Sequence, residues 1–231
     1  MTPKEIESRY HITLPPLYHR LFDTGMLDWL GGRSEPLPEG FDWAKEIYPA
    51  LHENPPLLFH TGGDLFLMTP KQIVECACPD YWKSDNHTLV PFAKGIDEAL
   101  HYVLIYDVDS GTEPMVGLVF EDEEEAQLLA QNFEDFIFRA MVEAADEIDR
   151  ENLDREYGPG APESYRKDIL RDLETIRPYL KTEYIDALDD LYHGKVGETL
   201  VSYYFRGSRP TEAILEEMIG FKKMDEEMEL A

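Results

Sequence analysis

Residues 89–141 read LVPFAKGIDEALHYVLIYDVDSGTEPMVGLVFEDEEEAQLLAQNFEDFIFRAM, and their reading decides the fold. Segments 88–93, 101–108 and 115–120 are rich in β-branched and aromatic residues, with Asp109-Ser110-Gly111 as a turn between the last two, so they predict an antiparallel meander. Beyond them Ala126, Leu129, Ala130, Phe133, Phe136, Ile137, Ala140, Met141 and Ala144 recur at helical spacing. That pattern predicts one amphipathic helix over about 122–145, covering the sheet. Glu121-Asp122-Glu123-Glu124-Glu125 would open this helix, where the macrodipole stabilises each carboxylate by roughly 0.3–1 kcal/mol.

On the N-terminal side, residues 3–9 read as a short helix, and Leu14-Pro15-Pro16 opens a second through Phe22, with Leu17, Leu21 and Tyr18 as its apolar stripe. One short helix is expected over 43–51, ended before Pro55-Pro56. Segments 57–60 and 64–68 read as strands joined by the Thr61-Gly62-Gly63 turn, and 73–78 as a further strand. On the C-terminal side, Tyr157-Gly158-Pro159-Gly160-Ala161-Pro162 marks a boundary, and helices are expected over 164–179, 182–192, 198–205 and 210–219. Tyr203-Tyr204-Phe205 is read as packing. The expected architecture is α+β: an antiparallel curved sheet of about six strands flanked by helices in a domain over 1–149, followed by a helical extension over 150–231.

Charge is the strongest compositional signal. The chain has 21 Lys and Arg against 48 Asp and Glu, a formal net charge of −27. Between Lys94 and Arg150 there are sixteen acids and one base, Arg139. Such a surplus repels nucleic acid and anionic membrane and accelerates association with cationic partners. No apolar segment approaches the length that spans a bilayer, and the N-terminal residues lack a basic-then-apolar leader pattern, so a cytoplasmic location is expected.

Catalytic and ligand-binding patterns are sparse. There is no phosphate-binding glycine loop, no Gly-x-Ser-x-Gly, no His-Glu-x-x-His and no pair of Cys-x-x-Cys motifs. Cys76 and Cys78 make an incomplete zinc set and a poor disulfide, which favours reduced structural thiols. His60, His87 and His101 read as surface or half-buried side chains, and Asp107 to Gly111 lacks the remaining positions of a calcium loop. No cofactor, no metal and no enzymatic activity are expected.

The pattern Ile6-Glu7-x-x-Tyr10-x-Ile12-x-Leu14-Pro15-x-x-Tyr18-x-x-Leu21-Phe22-x-x-Gly25, followed by Leu89-Val90-Pro91-Phe92-Ala93, 102–107, 116–120 and Leu129-Ala130-x-x-Phe133-x-x-Phe136-Ile137, resembles the SUKH superfamily. That superfamily includes the Smi/Knr-type cell-wall regulators and many bacterial toxin-immunity proteins. The resemblance covers most of 3–142. It departs at Asp23-Thr24-Gly25, where the family has Asn-Gly-Gly, at the Pro-rich insertion that follows, and over 150–231, which have no counterpart in a minimal domain. It implies an α+β domain that works by protein binding, without a cofactor. The function expected is an immunity protein that covers a cognate toxin domain, such as a basic nuclease, with neither nucleic acid nor membrane as partner. A regulatory or scaffold role in cell-wall or stress signalling is the alternative. The expected contact residues are Asp97, Glu98, Asp107, Asp109, Glu121, Asp122, Glu123, Glu124, Glu125, Glu134 and Asp135, with Tyr81 or Trp82 as aromatic anchors.

Overall fold

A computed structural model describes residues 1–33, 35–77, 82, 86–96, 99–107, 113–120, 123, 125–220 and 227–229. The elements run α1 Pro3–Tyr10, α2 Pro16–Asp23, α3 Trp43–Glu46, α4 Tyr48–Glu53, β1 Phe66–Leu67, α5 Pro70–Glu75, β2 His87–Lys94, β3 Leu100–Asp107, β4 Met115–Phe120, β5 Glu125–Ala130 and α6 Phe133–Glu143. They continue with β6 Ile148–Asp149, α7 Arg150–Tyr157, α8 Ala161–Ile176, α9 Thr182–Tyr192, β7 Lys195–Glu198, β8 Ser202–Arg206, α10 Thr211–Ile219 and β9 Glu227–Glu229. The class is α+β, as the sequence indicates. Two compact units divide the chain, one of residues 1–27, 64–136 and 221–231, the other of 28–63 and 137–220. The division is discontinuous and falls inside α6, not at residue 149.

In the first unit, β1-β2-β3-β4-β5-β9 form one sheet in that order, and every pairing is antiparallel. Pro91 has no N–H to give a ladder, and it stands where the β2–β3 register shifts, leaving Phe92 as the extra residue. The Phe92 carbonyl accepts from the Met68 N–H at 2.9 Å, while its ring packs edge-on against Phe133 and Phe136. Glu7 fixes the Leu-Pro turn between α1 and α2. Its carboxylate accepts from the Leu14 N–H at 3.0 Å and faces the His19 ring at 3.0 Å. Partial burial pushes this carboxyl up, but those two partners pull it down by more, so it lies below its ordinary value. Tyr18 and Leu21 carry the buried face of α2, and Leu17 is half-buried.

Two strand–helix expectations in this unit are corrected. Residues 125–130 are β5 and not the first turns of a helix, because Ala126, Leu128 and Ala130 also fit the two-residue period of a strand. The helix starts after Asn132, whose side-chain oxygen accepts from the Asp135 N–H at 3.0 Å while its amide donates to the Asp135 carboxylate at 2.9 Å. Residues 70–75 are helical, where 73–78 read as a strand. Pro70 sits at the first turn, and Thr69 and Gln72 form a reciprocal cap. Cys76 is half-buried at its end; Cys78 lies outside the described residues.

The second unit is built on α8 and α9. Gly158 and Gly160 both have positive φ, and the Ala161 N–H donates to Gly158 O at 3.1 Å. The expected boundary segment is therefore a tight turn between α7 and α8. The helix expected over 198–205 is instead the β7–β8 hairpin, in which Tyr203 and Phe205 point inward and Tyr204 alternates outward. Tyr203 joins Leu153 and Ala161 in a small core, with Tyr157, Tyr165 and Val196 packed on it. The hairpin expected around Thr61-Gly62-Gly63 does not form either. Residues 57–60 are turns, with the Gly62 N–H donating to Leu58 O at 2.8 Å. Among the described residues, no helix is long and apolar enough to cross a membrane.

Candidate functional site

Of the eleven expected contact residues, Asp97, Glu98, Asp109, Glu121, Asp122 and Glu124 lie outside the described residues. The other five separate to two ends of the sheet. Glu123 is exposed just after β4, its N–H donating to Phe120 O at 3.2 Å, and Glu125 is exposed at the start of β5. Leu100 pairs with Phe120, whereas Asp107 pairs with His87 at the far end of β3. Seven residues of strand separate these two levels, roughly 24 Å. Ala130 pairs with Val116, so β5 returns the chain to the Asp107 end, where Glu134 and Asp135 open α6.

Asp135 is corrected outright. It is 5% exposed and committed to the Asn132 cap, so it offers no carboxylate to a partner. Trp82 is corrected too, being 2% exposed and edge-on to His101 at 5.2 Å, a core residue and not a surface anchor. Tyr81 lies outside the described residues. His87 and His101 are buried, contrary to their reading as surface or half-buried groups. The one base between Lys94 and Arg150, Arg139, is also buried, and its Nε donates to Glu143 at 2.7 Å.

Among the described residues there is a dense polar cluster that no sequence motif announces. In the second unit Asp172, 2% exposed, accepts from the His60 N–H (2.9 Å), the Thr61 N–H (2.9 Å) and the Thr61 hydroxyl (2.8 Å), and pairs with His60 Nδ1 at 2.7 Å. His60 Nε2 lies 3.1 Å from His52 Nδ1, and His52 Nε2 lies 3.0 Å from Arg171 Nη1. Arg171 also donates to Asp168, whose other oxygen accepts from the Tyr157 hydroxyl at 2.9 Å. Burial, and then the Asp168 carboxylate, push the Tyr157 phenol well above its ordinary value, so it stays a donor.

The donor inventory fixes the proton positions. A guanidinium only donates, so His52 Nε2 accepts and its proton lies on Nδ1. That proton goes to His60 Nε2, and the His60 Nδ1 proton goes to Asp172. The chain Arg171 to His52 to His60 to Asp172 is thus closed at both ends, and each ring nitrogen has a partner in the fold. His52, His60 and Asp168 bring one possible metal-ligand atom each within 4.8 Å of one another. The residues do not fit an ion, because Arg171 already bonds both His52 Nε2 and Asp168 and would hold a fixed positive charge against it. The cluster ties the turn at 60–61 and helix α4 to α8. Its signal in the sequence was Asp168 and Asp172 standing within the stripe Tyr165, Ile169, Leu173, Ile176, where helical spacing buries side chains.

Family models, curated proteins and solved structures were all compared with the chain, and none matches.

Proposed function

We propose that this chain is a protein-binding module without chemistry of its own, acting as an immunity protein that covers a basic toxin domain. The observation that carries the reading is the uncompensated acid between Lys94 and Arg150. Along the sequence this stretch holds sixteen acids against one base, and that base is buried and paired with Glu143. A field of this sign raises the encounter rate with a cationic surface and repels nucleic acid. The closed histidine chain supports the non-enzymatic part, since its nitrogens are all engaged within the fold.

The test is co-expression with the protein encoded by the neighbouring gene. Restored growth together with a direct complex supports immunity. A complex without toxicity in the partner transfers the reading to regulation or scaffolding, and no complex with any basic domain removes it.

A further inference from the structure

The sheet end that carries Glu123 and Glu125 also exposes apolar side chains. Ile96, in the β2–β3 connection, is 73% exposed, and Phe120, the last residue of β4, is 37% exposed. Register puts both at the same end of the sheet. The Gly95 N–H donates to Leu100 O at 2.9 Å, which closes that connection, and Leu100 pairs directly with Phe120. Leu118 lies two residues before Phe120 and therefore on the same face; both it and Leu100 are only half-buried. Glu123 and Glu125 flank this group at the end of β4 and the start of β5.

We infer that this sheet end, Ile96, Leu100, Leu118 and Phe120 bordered by Glu123 and Glu125, is the docking surface for a basic protein that presents an apolar side chain amid Lys or Arg. An apolar centre inside a charged border is the division found in protein interfaces, where the centre supplies affinity and the border steers and orients. Charge decides the occupant. A second copy would bring another carboxylate border and a molecule of net charge −27 against the first, which opposes self-association. The inference rests on the proposed binding role and assigns its location.

Two short Lys-rich peptides serve as probes, one with a central Trp and one with Ser in its place. The intact chain should bind the Trp peptide roughly tenfold more tightly. Phe120→Ser with Ile96→Ser should abolish that preference while leaving the salt-dependent affinity for the Ser peptide. Glu123→Lys with Glu125→Lys should weaken both peptides. Salt-dependent binding without a Trp preference overturns the apolar centre but leaves the binding role standing, and no binding of either peptide overturns the binding role itself. Circular dichroism of each variant separates loss of the surface from loss of the fold, and the Lys pair keeps the test open should the Ser pair unfold. Sedimentation showing a dimer that Phe120→Ser dissociates would assign the face to a second copy and overturn the inference.

Discussion

Asp172 shows most clearly how one residue can organise a region distant in sequence. Its carboxylate takes four donors from His60 and Thr61, more than a hundred residues away, inside an apolar helix face. Asp172→Ala would strand those donors in a site closed to water, and thermal or denaturant unfolding should show a loss of about 3 kcal/mol or more. Binding to a partner should survive if the fold does. Asp189 and Asp190 give a pH test. Arg177 bonds to Asp189, and the Ser208 N–H and hydroxyl to Asp190, hold both carboxyls below their ordinary value. A carboxyl depressed in the folded state contributes stability that is complete above about pH 4, its unfolded range, and is lost as pH falls through the lower folded value. Asp189→Asn and Asp190→Asn should therefore lower stability at neutral pH and flatten its decline in acid, as measured by unfolding from pH 7 to 2. A decline unchanged by both variants would remove these pairs from the acid response.

At the scale of elements, strands β2, β3 and β4 and helices α1, α2 and α9 were legible because one pattern dominated each. Segment 125–130 was not. Its apolar residues satisfy both the strand and helix periods, and only the Asn132 cap separates β5 from α6. The same ambiguity made Val74 and its neighbours look extended, although the Thr69-Pro70-x-Gln72 cap marks a helix. The β7–β8 hairpin is hidden in the sequence because the uniform aromatic character of Tyr203-Tyr204-Phe205 masks its inward–outward alternation. This correction changes what the acidic run does: Glu123 and Glu125 stand beside a strand and receive no helix-dipole stabilisation. Reversing both to Lys should shift stability by no more than about 0.5 kcal/mol, as for other exposed sites, while slowing association with a basic partner. Carbon chemical shifts should be extended over 125–130. Helical shifts there, with a stability loss in the double variant, would restore the helix-cap account.

For the whole molecule, the sequence conveyed class and charge but not the division of the chain. Segment 28–63 belongs with the C-terminal helices, a pairing of distant segments that no local pattern announces. It depends on His60, Asp172 and Arg171 meeting across a long sequence separation. A fragment of residues 1–149 would keep His60 and Thr61 while losing their acceptor. Limited proteolysis at the Gly158–Gly160 turn should therefore yield no stable N-terminal product, and the isolated fragment should exchange its 48–61 amides freely. A folded, protease-resistant 1–149 fragment with protected 48–61 amides would contradict the grouping of 28–63 with the C-terminal helices. The binding role itself is tested most directly by the association rate with a basic toxin domain that this chain protects against, measured by stopped flow from low to high salt. The proposal predicts a rate near 10⁸ M⁻¹s⁻¹ at low salt, falling by about tenfold or more as salt rises, and a smaller fall for the Glu123→Lys, Glu125→Lys variant. A rate that ignores salt, or is the same in the variant, would contradict it.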